Sequence, residues 1–347
     1  MSHKIALYPG DGIGPEVTAE ARKVLEHLPV ELEFTLFDWS AELYKKEGRC
    51  VPEDYLDRLK PFDAILLGAL GDATKAPDHI SIEPLLGMRK GFDQYVNIRP
   101  AVLFEGVDCP LKNVMPFEIE MVVIRENAEG EYTNFGGRHY IGTPNEVAMQ
   151  INYFTRMGTE RIIRYAFETA QKRKRKHVTS ITKSNALKYS MVFWDSVFLE
   201  VAKEYPDIKY SSMLVDAAAM NFVRSPQMFD VVVASNLFGD ILSDIAAIIV
   251  GGMGFAGSAN INPLRKFPSM FEPVHGSAPD IAGQSKANPI AAILSAGMML
   301  EFLGEAKGAE MIKKAVQSHL SDCNIKTPDS GGKNTTSQIG DDITNRL

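Results

Sequence analysis

Cysteine is scarce in this chain. Its 347 residues include three, Cys50, Cys109 and Cys323, which lie far apart in the sequence. No CxxC pair is present, so the pattern predicts neither a disulfide framework nor a zinc site built from thiolates. Low cysteine use is typical of a reducing compartment, and the chain starts without the apolar segment of a signal peptide. We therefore expect a cytoplasmic location.

Long hydrophobic runs and an excess of positive charge are lacking as well. The longest weakly polar stretch, residues 245–257, is too short and too rich in glycine to cross a bilayer. Against 37 Lys and Arg residues stand 44 Asp and Glu, a net charge of −7, whereas nucleic acids favour a basic surface. The basic run Lys172–Lys176 has no interleaved aromatic residues and is better interpreted as a solvated helix end. We expect neither a membrane nor a nucleic acid as partner.

The chain does contain enough apolar residues for a large core, 45% of the total, and its length suggests two domains. Apolar β-rich runs alternate with helical patterns, which is typical of an α/β fold. The runs that predict strands are Lys4–Tyr8, Leu32–Phe37, Ala64–Leu67, Glu120–Ile124, His177–Thr182, Lys209–Val215 and Val231–Ala234. The periodic segments that predict helices are Gly14–Leu28, Arg156–Gln171, Leu187–Tyr205, Leu237–Val250, Pro289–Leu303 and Ala309–Leu320.

Two segments depart from this alternation. Residues 127–152 are punctuated by glycines between short polar β segments, which predicts a hairpin arm outside the main sheet. Residues 327–340 are rich in turn formers and are expected to form a surface tail.

Three aspartates form the most informative candidate site. Asp240 and Asp244 follow the strand Val231–Ala234 at a spacing of i, i+4, which puts both carboxylates on one helical face. Asp216 follows another strand, and ligands of open α/β sheets gather at the carboxyl ends of strands. Carboxylate oxygens suit Mg²⁺ or Mn²⁺. The alternative is that Asp240 and Asp244 complement a helix dipole and that Asp216 is an N-cap.

Basic and phenolic groups follow neighbouring strands. Lys183 is either a surface cation or, near a metal, a proton relay. Arg125 and Tyr132 lie in one segment, where arginine can bind a carboxylate and tyrosine can act as a general acid. With Arg89 and Arg99 upstream, three arginines suggest a dianionic substrate, although each of them alone can be a surface ion-pair partner.

Two glycine-containing turns remain. Gly10–Glu16 lacks the third glycine of a GxGxxG fingerprint and the ending of a P-loop, so it predicts neither a Rossmann domain nor a kinase. The turn Glu272–Asp280 is either a phosphate-binding nest or an ordinary loop.

Taken together, these segments resemble the β-decarboxylating dehydrogenases, the isocitrate and isopropylmalate dehydrogenase family. The likeness extends from Gly10–Glu16 to Thr327–Asp329, nearly end to end. It is strongest to the tartrate and D-malate dehydrogenase branch. The segments that carry this choice are Pro77–Ser81, Phe92–Asn97, Arg125–Asn127, Glu129–Tyr132 and Phe271–His275.

The resemblance implies a two-domain α/β fold of the isopropylmalate dehydrogenase type with a central mixed sheet, not a Rossmann fold. Residues 1–98 and 258–347 would form the large domain with the NAD-binding loops. Residues 99–257 would form the small domain with the dimer interface, the metal aspartates and the arm at 127–152. A homodimer is implied, in which each cleft takes Lys183 and Asp216 from the neighbouring subunit.

Site roles follow from the same motifs. Asp216, Asp240 and Asp244 would bind Mg²⁺ or Mn²⁺, with K⁺ as a further candidate, and Tyr132, Lys183 and Asp216 would be catalytic. The residues implied to bind substrate are Arg89, Arg99, Arg125, Leu85 and Leu86. Those implied to bind the cofactor are Asn185, Glu272, His275, Gly276, Ser277, Ala278, Asp280 and Asn288. A carboxylate at Asp280 would repel a 2′-phosphate, which favours NAD over NADP.

The resemblance therefore implies oxidative decarboxylation of a small 2-hydroxy diacid, with D-malate or tartrate first and 3-isopropylmalate as the alternative. Ala128 stands where the branch commonly has threonine, and residues 81–86 are one residue shorter, so the substrate is less defined than the reaction. A non-catalytic regulatory subunit on the same fold is an alternative of another class. RNA binding through Lys172–Lys176 is a third.

Overall fold

A computed structural model describes residues 2–322 and 324–347. The expectation for Cys323 lies outside the described residues. The chain divides into two compact units, the first comprising Met1–Gln94, Ile98–Glu120 and Ala246–Leu347, and the second Tyr95–Asn97 and Met121–Ile245. Compared with the expected domain boundaries, this division gives residues 99–120 and 246–257 to the first unit and residues 95–97 to the second. Within that unit the Cys109 thiol donates to the Ile249 carbonyl at 3.2 Å, and the Val274 amide donates to the Ala256 carbonyl at 2.8 Å.

Helices and strands alternate along most of the chain. The strands are β1 His3–Gly10, β2 Leu32–Leu36, β3 Ala64–Ala69, β4 Val96–Val102, β5 Glu120–Glu126, β6 Gly136–His139, β7 Val147–Gln150, β8 His177–Thr182, β9 Lys209–Leu214, β10 Val231–Ala234, β11 Gly257–Ile261 and β12 Ser269–Pro273. The helices are α1 Gly14–Glu26, α2 Tyr44–Glu47, α3 Tyr55–Leu59, α4 Asp78–Ser81, α5 Glu83–Gly91, α6 Arg156–Gln171, α7 Ser190–Ala202, α8 Val215–Arg224, α9 Asn236–Ile249, α10 Ile290–Leu303, α11 Ala306–Asp322 and α12 Thr336–Thr344.

In the first unit the strand order is β2-β1-β3-β12-β11-β4. The pairs β1–β2, β1–β3 and β3–β12 are parallel and β11–β12 is antiparallel, so the sheet is mixed. Every residue of β3 is buried, as a continuous apolar run requires when both faces of a sheet are covered. Helix α1 buries Val17, Ala21 and Val24 on one face. The α/β class with a large mixed sheet is thus confirmed.

In the second unit the order is β5-β10-β8-β9, and all three pairs are parallel. Strand β10 is buried throughout, and helices α6 and α7 pack together through Phe167 and Phe198, whose ring centroids are 5.6 Å apart. The predicted arm is a separate two-stranded antiparallel sheet of β6 and β7, exposed along both strands. The hairpin prediction is therefore confirmed.

The C-terminal tail and some strands differ from the predictions. The tail is not turn-rich throughout, because α12 begins at Thr336 with a capping box between Thr335 and Gln338 and buries Ile339 and Ile343. Strands β4, β11 and β12 were not predicted. In the described part of the chain, no helix is long and apolar enough to cross a membrane.

Two side chains of the basic run Lys172–Lys176, which follows α6, make hydrogen bonds within the protein. Arg173 Nε donates to the carboxylate of Asp230 at 2.6 Å, and Asp230 is fully buried. Arg175 donates to the carbonyl oxygens of Phe229 and Gln227. Two of the five basic side chains thus anchor the segment before β10.

The loop after β5 is held by two buried carboxylates. Glu126 accepts the amides of Ala128 and Glu129 at 3.0 and 2.8 Å, which folds the loop back on the end of the strand. Glu129 in turn accepts the amide and hydroxyl of Thr155, the N-cap of α6, at 2.8 and 2.6 Å. A carboxylate at a helix N-terminus is favourable because unsatisfied amides and the helix dipole both attract negative charge.

Burial raises the pKa of Glu126 to about 7, against the lowering effect of the hydrogen bonds from the Ala128 and Glu129 amides; the Glu129 carboxylate adds to the rise and Arg161 opposes it. Glu126 is 1% exposed. In the unfolded chain the pKa of this carboxyl lies near its ordinary value of 4.5. The folded state therefore holds a proton that the unfolded state has lost between these two pH values.

From this we predict the pH dependence of stability. The contribution of Glu126 is fully present below pH 4.5 and is lost as the pH rises through about 7. Relative to Glu126→Gln, the free energy of unfolding of the wild type should fall over that window, by up to roughly 3 kcal/mol. Urea titrations of both proteins between pH 4.5 and 8 measure the difference. The exposed Glu310→Gln serves as the control, and a wild-type to Glu126→Gln difference that stays constant over the window contradicts the prediction.

Candidate active site

The guanidinium of Arg125 is the centre of the site in the second unit. Arg125 lies near the end of β5 and is 1% exposed. Its Nε and Nη2 donate to Oδ1 of Asn236 at 3.0 and 2.7 Å, and its Nη1 donates to the carboxylate of Asp240. A buried charge is stable only when it is paired and hydrogen-bonded, and here both partners come from the first two turns of α9.

A glycine in α9 makes this approach possible. A Cβ on Gly239 would lie 2.7 Å from Cβ and from Cγ of Arg125, a separation that real side chains do not adopt. The strand end and the helix therefore pack closely enough for Asp240 to reach the guanidinium. The residue at position 239 is as much a part of the site as the charged groups.

Tyr132 also binds the carboxylate of Asp240. Its hydroxyl donates to Oδ2 of Asp240 at 2.7 Å, and the Arg125 guanidinium carbon lies 5.4 Å from the centroid of its ring. Burial, followed by the hydrogen bond to Asp240 and its charge, raises the pKa of Tyr132 to about 12, and Arg125 opposes the shift. The phenol is therefore protonated at neutral pH and has a proton to give.

Lys183 and Asp216 form a second, separate pair in this unit. Lys183 Nζ donates to Oδ1 of Asp216 at 2.6 Å, and this hydrogen bond lowers the pKa of the Asp216 carboxyl. The side chain of Asp216 is 58% exposed. Helix α8 has Leu214 as its N-cap, so Asp216 is not the N-cap that the sequence left open as an alternative.

The three predicted metal ligands are not gathered in one chain. Asp244 lies one turn after Asp240 on α9 and is exposed, and Asp240 lies beyond the first helical turn, so neither is the dipole-capping aspartate of the alternative interpretation. Among residues 2–322 and 324–347, no three His, Cys, Asp or Glu side chains converge in a metal-binding arrangement. The metal assignment stays a prediction.

In the first unit, Arg89 pairs with Glu272. Arg89 Nη2 donates to Oε1 of Glu272 at 3.0 Å, and Nδ2 of Asn260 donates to the same oxygen at 2.7 Å. Both charged residues are buried, so the carboxylate predicted to serve the cofactor orients a predicted substrate arginine. Arg99 is buried in β4.

The remaining predicted substrate residues lie on α5. Leu85 packs in the core of the first unit with Tyr8 and Met88, while Leu86 is half-buried. Their substrate role stays a prediction.

The predicted cofactor turn follows β12. Ser277 is buried, whereas Gly276 and Asp280 are exposed and Ala278 adopts a positive φ of 38°. His275 Nδ1 lies 2.9 Å from the carbonyl of Gly276, and burial lowers the pKa of its imidazole, which is therefore neutral at pH 7.

Two further predicted cofactor residues lie elsewhere. Asn288 precedes α10, accepts the amide of Ile290 at 3.1 Å and donates to Asp329 at 3.2 Å. Asn185 is exposed in the second unit. Their cofactor role stays a prediction.

Asn236 and Glu131, which hold the charged groups in place, were not predicted from the sequence. Asn236 binds Arg125 through its oxygen and donates from Nδ2 to the carbonyl of Glu129 at 3.0 Å. Glu131 accepts the hydroxyl of Ser235 and the amide of Leu237, at 3.1 and 3.0 Å. A polar residue at a strand-to-helix junction was the available signal for Asn236, but its partners lie more than a hundred residues away in sequence.

The chain is similar to known proteins over nearly its whole length. The family model described as isocitrate/isopropylmalate dehydrogenase matches residues 4–343. The D-malate dehydrogenase [decarboxylating] of Escherichia coli K12 is 49% identical, over 98% of this chain and 97% of that protein. The tartrate dehydrogenase/decarboxylase of Pseudomonas putida is 48% identical, over 100% and 98% respectively.

A solved structure agrees with these sequence matches. The crystal structure of isocitrate dehydrogenase from Methylococcus capsulatus superposes with a TM-score of 0.89 at 39% identity and covers 99% of both chains. Both the sequence matches and the fold thus extend over the whole chain, and the chain belongs to the isocitrate/isopropylmalate dehydrogenase family.

Proposed function

We propose that the protein catalyses the NAD- and divalent-metal-dependent oxidative decarboxylation of a small 2-hydroxy diacid, with D-malate as the first candidate substrate and tartrate as the second. The names of two relatives at 48–49% identity support this choice. The observation that carries it is the contact of one carboxylate, Asp240, with both a buried arginine and a protonated tyrosine.

The arrangement suits the two halves of such a reaction. Arg125, with Arg89 and Arg99, is proposed to bind the substrate carboxylates, since a guanidinium holds a carboxylate in a fixed plane. Lys183, beside Asp216, is proposed to take the proton of the substrate hydroxyl while hydride leaves the same carbon. Loss of CO₂ then leaves an enolate, and Tyr132 is proposed to deliver the proton to its carbon, since its phenol is protonated at neutral pH.

The side chains fit the two bound groups that this chemistry needs. Asp240 and Asp244 offer hard oxygen donors on one side of α9, and Asp216 is the proposed third ligand. A divalent cation held by these residues would supply Lewis-acid stabilisation of negative charge on the substrate oxygen. The exposed carboxylate of Asp280 suits the ribose hydroxyls of NAD, whose nicotinamide accepts the hydride.

A homodimer with shared active sites is part of the proposal. Lys183 and Asp216 contact each other and can be contributed together by one subunit. Arg125, Tyr132 and Asp240 also contact each other and can be contributed together by the other. Each subunit would thus contribute one of the two groups to each active site, and the residues of each group already contact one another within a single chain.

We predict the following order of substrates. With NAD and Mn²⁺, kcat/KM should be highest for D-malate or tartrate, and 3-isopropylmalate should be slower by at least about tenfold, because its branched alkyl group must fit the pocket that reads the substituent. NADH formation measured at 340 nm across the three acids gives the ranking. A clear preference for 3-isopropylmalate would show that the substrate assignment is wrong.

The shared site predicts complementation. Asp216→Asn and Asp240→Asn homodimers should each lose activity by roughly 10²-fold or more, since each lacks a metal ligand. Co-expression of the two variants should restore about a quarter of wild-type activity, because half of the dimers are mixed and each of these contains one intact site.

The matched control is co-expression of Asp240→Asn with Asp244→Asn. These two residues lie on one helix, so every mixed site keeps a lesion and activity should stay low. Equal recovery in both mixtures contradicts the shared site. If neither Asp240→Asn nor Asp216→Asn changes NADH formation, the aspartates are not the metal site. Absence of any NADH formation by the wild type with all three acids favours the regulatory-subunit alternative.

A further inference from the structure

The glycine turn after β1 has no place in the proposed chemistry, yet it is tightly packed. A Cβ on Gly10 would lie 2.0 Å from the carbonyl oxygen of Ala69, and a Cβ on Gly12 would lie 1.9 Å from that of Ser277. Gly12 also has a φ of +58°, which disfavours any side chain. The space above the turn is filled by protein backbone, so the glycines admit another segment of the chain and not a phosphate.

That segment is the predicted cofactor turn. The amide of Ile13 donates to the carbonyl of Ser277 at 2.8 Å. The hydroxyl of Ser277 donates to the carbonyl of Gly71. The buried carboxylate of Asp11 accepts the amide of Gly71 at 3.0 Å and that of Ala41 at 2.8 Å. Asp11 thus fixes the backbone at Gly71, whose carbonyl accepts the hydrogen bond from Ser277.

The far end of the segment is held independently. In the first turn of α1, Glu16 Oε1 accepts the amide of Gly283 at 2.5 Å. The contacts at Ser277 and Gly283 fix the two ends of a seven-residue span. Asp280 lies between them and is exposed.

We propose that Asp11, Gly12 and Glu16 are positioning residues for the cofactor: they hold the span Ser277–Gly283 in the conformation that presents Asp280 to the ribose. The inference rests on the proposed function, because it takes NAD as the ligand of that span. Neither Asp11 nor Glu16 is assigned a contact with NAD. Their effect is preorganisation, since a span already held at both ends loses less conformational freedom when the nucleotide binds.

The test compares variants of Glu16 in the full-length protein. Glu16→Ala removes the acceptor of the Gly283 amide, while Glu16→Gln retains an acceptor oxygen. Glu26→Ala is the matched control, because Glu26 is on the same helix but its carboxylate pairs with Arg22 at the exposed face. The Kd of NAD is measured by titration calorimetry, and hydrogen exchange reports the amides of residues 277–284.

In Glu16→Ala we expect a Kd and a KM for NAD raised about tenfold, from the loss of one charge-assisted hydrogen bond, with faster exchange at Gly283. The KM for the acid and kcat should stay within about twofold of wild type, since only cofactor binding depends on the span. Glu16→Gln should recover most of the affinity, and Glu26→Ala should match the wild type. Gly12→Ala, whose new methyl group must displace Ser277, should weaken NAD binding at least as much as Glu16→Ala.

Two outcomes overturn the inference. If the wild type binds NAD and Glu16→Ala binds it equally well with unchanged exchange, the positioning role is wrong while the proposed function stands. If calorimetry detects no NAD binding to the wild type, the proposed cofactor is wrong and the positioning role falls with it.

Discussion

The second unit is organised around the need to pair the buried charge of Arg125. An arginine that is 1% exposed must find acceptors in the protein, because water cannot supply them. Asn236 and Asp240 provide these acceptors, and both lie at the start of one helix, so satisfying the arginine fixes the distance between β5 and α9. Gly239 lies between them, and a Cβ at this position would lie 2.7 Å from Cβ of Arg125 and prevent the approach. The position of Tyr132 follows, since its hydroxyl shares the Asp240 carboxylate.

Carboxylates have two different roles in this unit. Glu126 and Glu129 accept backbone amides and a threonine hydroxyl, so their function is to shape the loop that carries Tyr132. Asp240 instead accepts hydrogen bonds from two ionisable side chains, the guanidinium of Arg125 and the phenol of Tyr132. A carboxylate that is bonded by side chains can accept a cation without any change in the backbone, whereas one that satisfies backbone amides cannot do so without unfolding the loop. The distinction separates structural from functional acids that look alike in the sequence.

Elements with strong periodicity could be predicted from the sequence, but the long-range packing between them could not. Strands β8 and β10 and helix α6 were predicted at their observed bounds, because apolar runs and amphipathic spacing are local signals. Strand β11, with the sequence Gly-Ser-Ala-Asn-Ile, has the composition of a loop and is a strand because the sheet buries it on both sides. Helix α12 was missed for a related reason, since only two isoleucines mark its buried face.

In the candidate site, too, local patterns predicted single residues but not their long-range contacts. Strand-to-helix junctions pointed to Asp216, Lys183 and Asp240, but no local pattern indicated that Asn236 would hold Arg125 across 111 residues. The turn Gly10–Glu16 is the clearest case, because its sequence excluded two nucleotide-binding motifs but did not show what its glycines approach. What occupies the space above Gly12 is the carbonyl of Ser277, from a segment 265 residues away. A glycine indicates that something approaches closely, and only the fold determines whether that is a ligand or the chain itself.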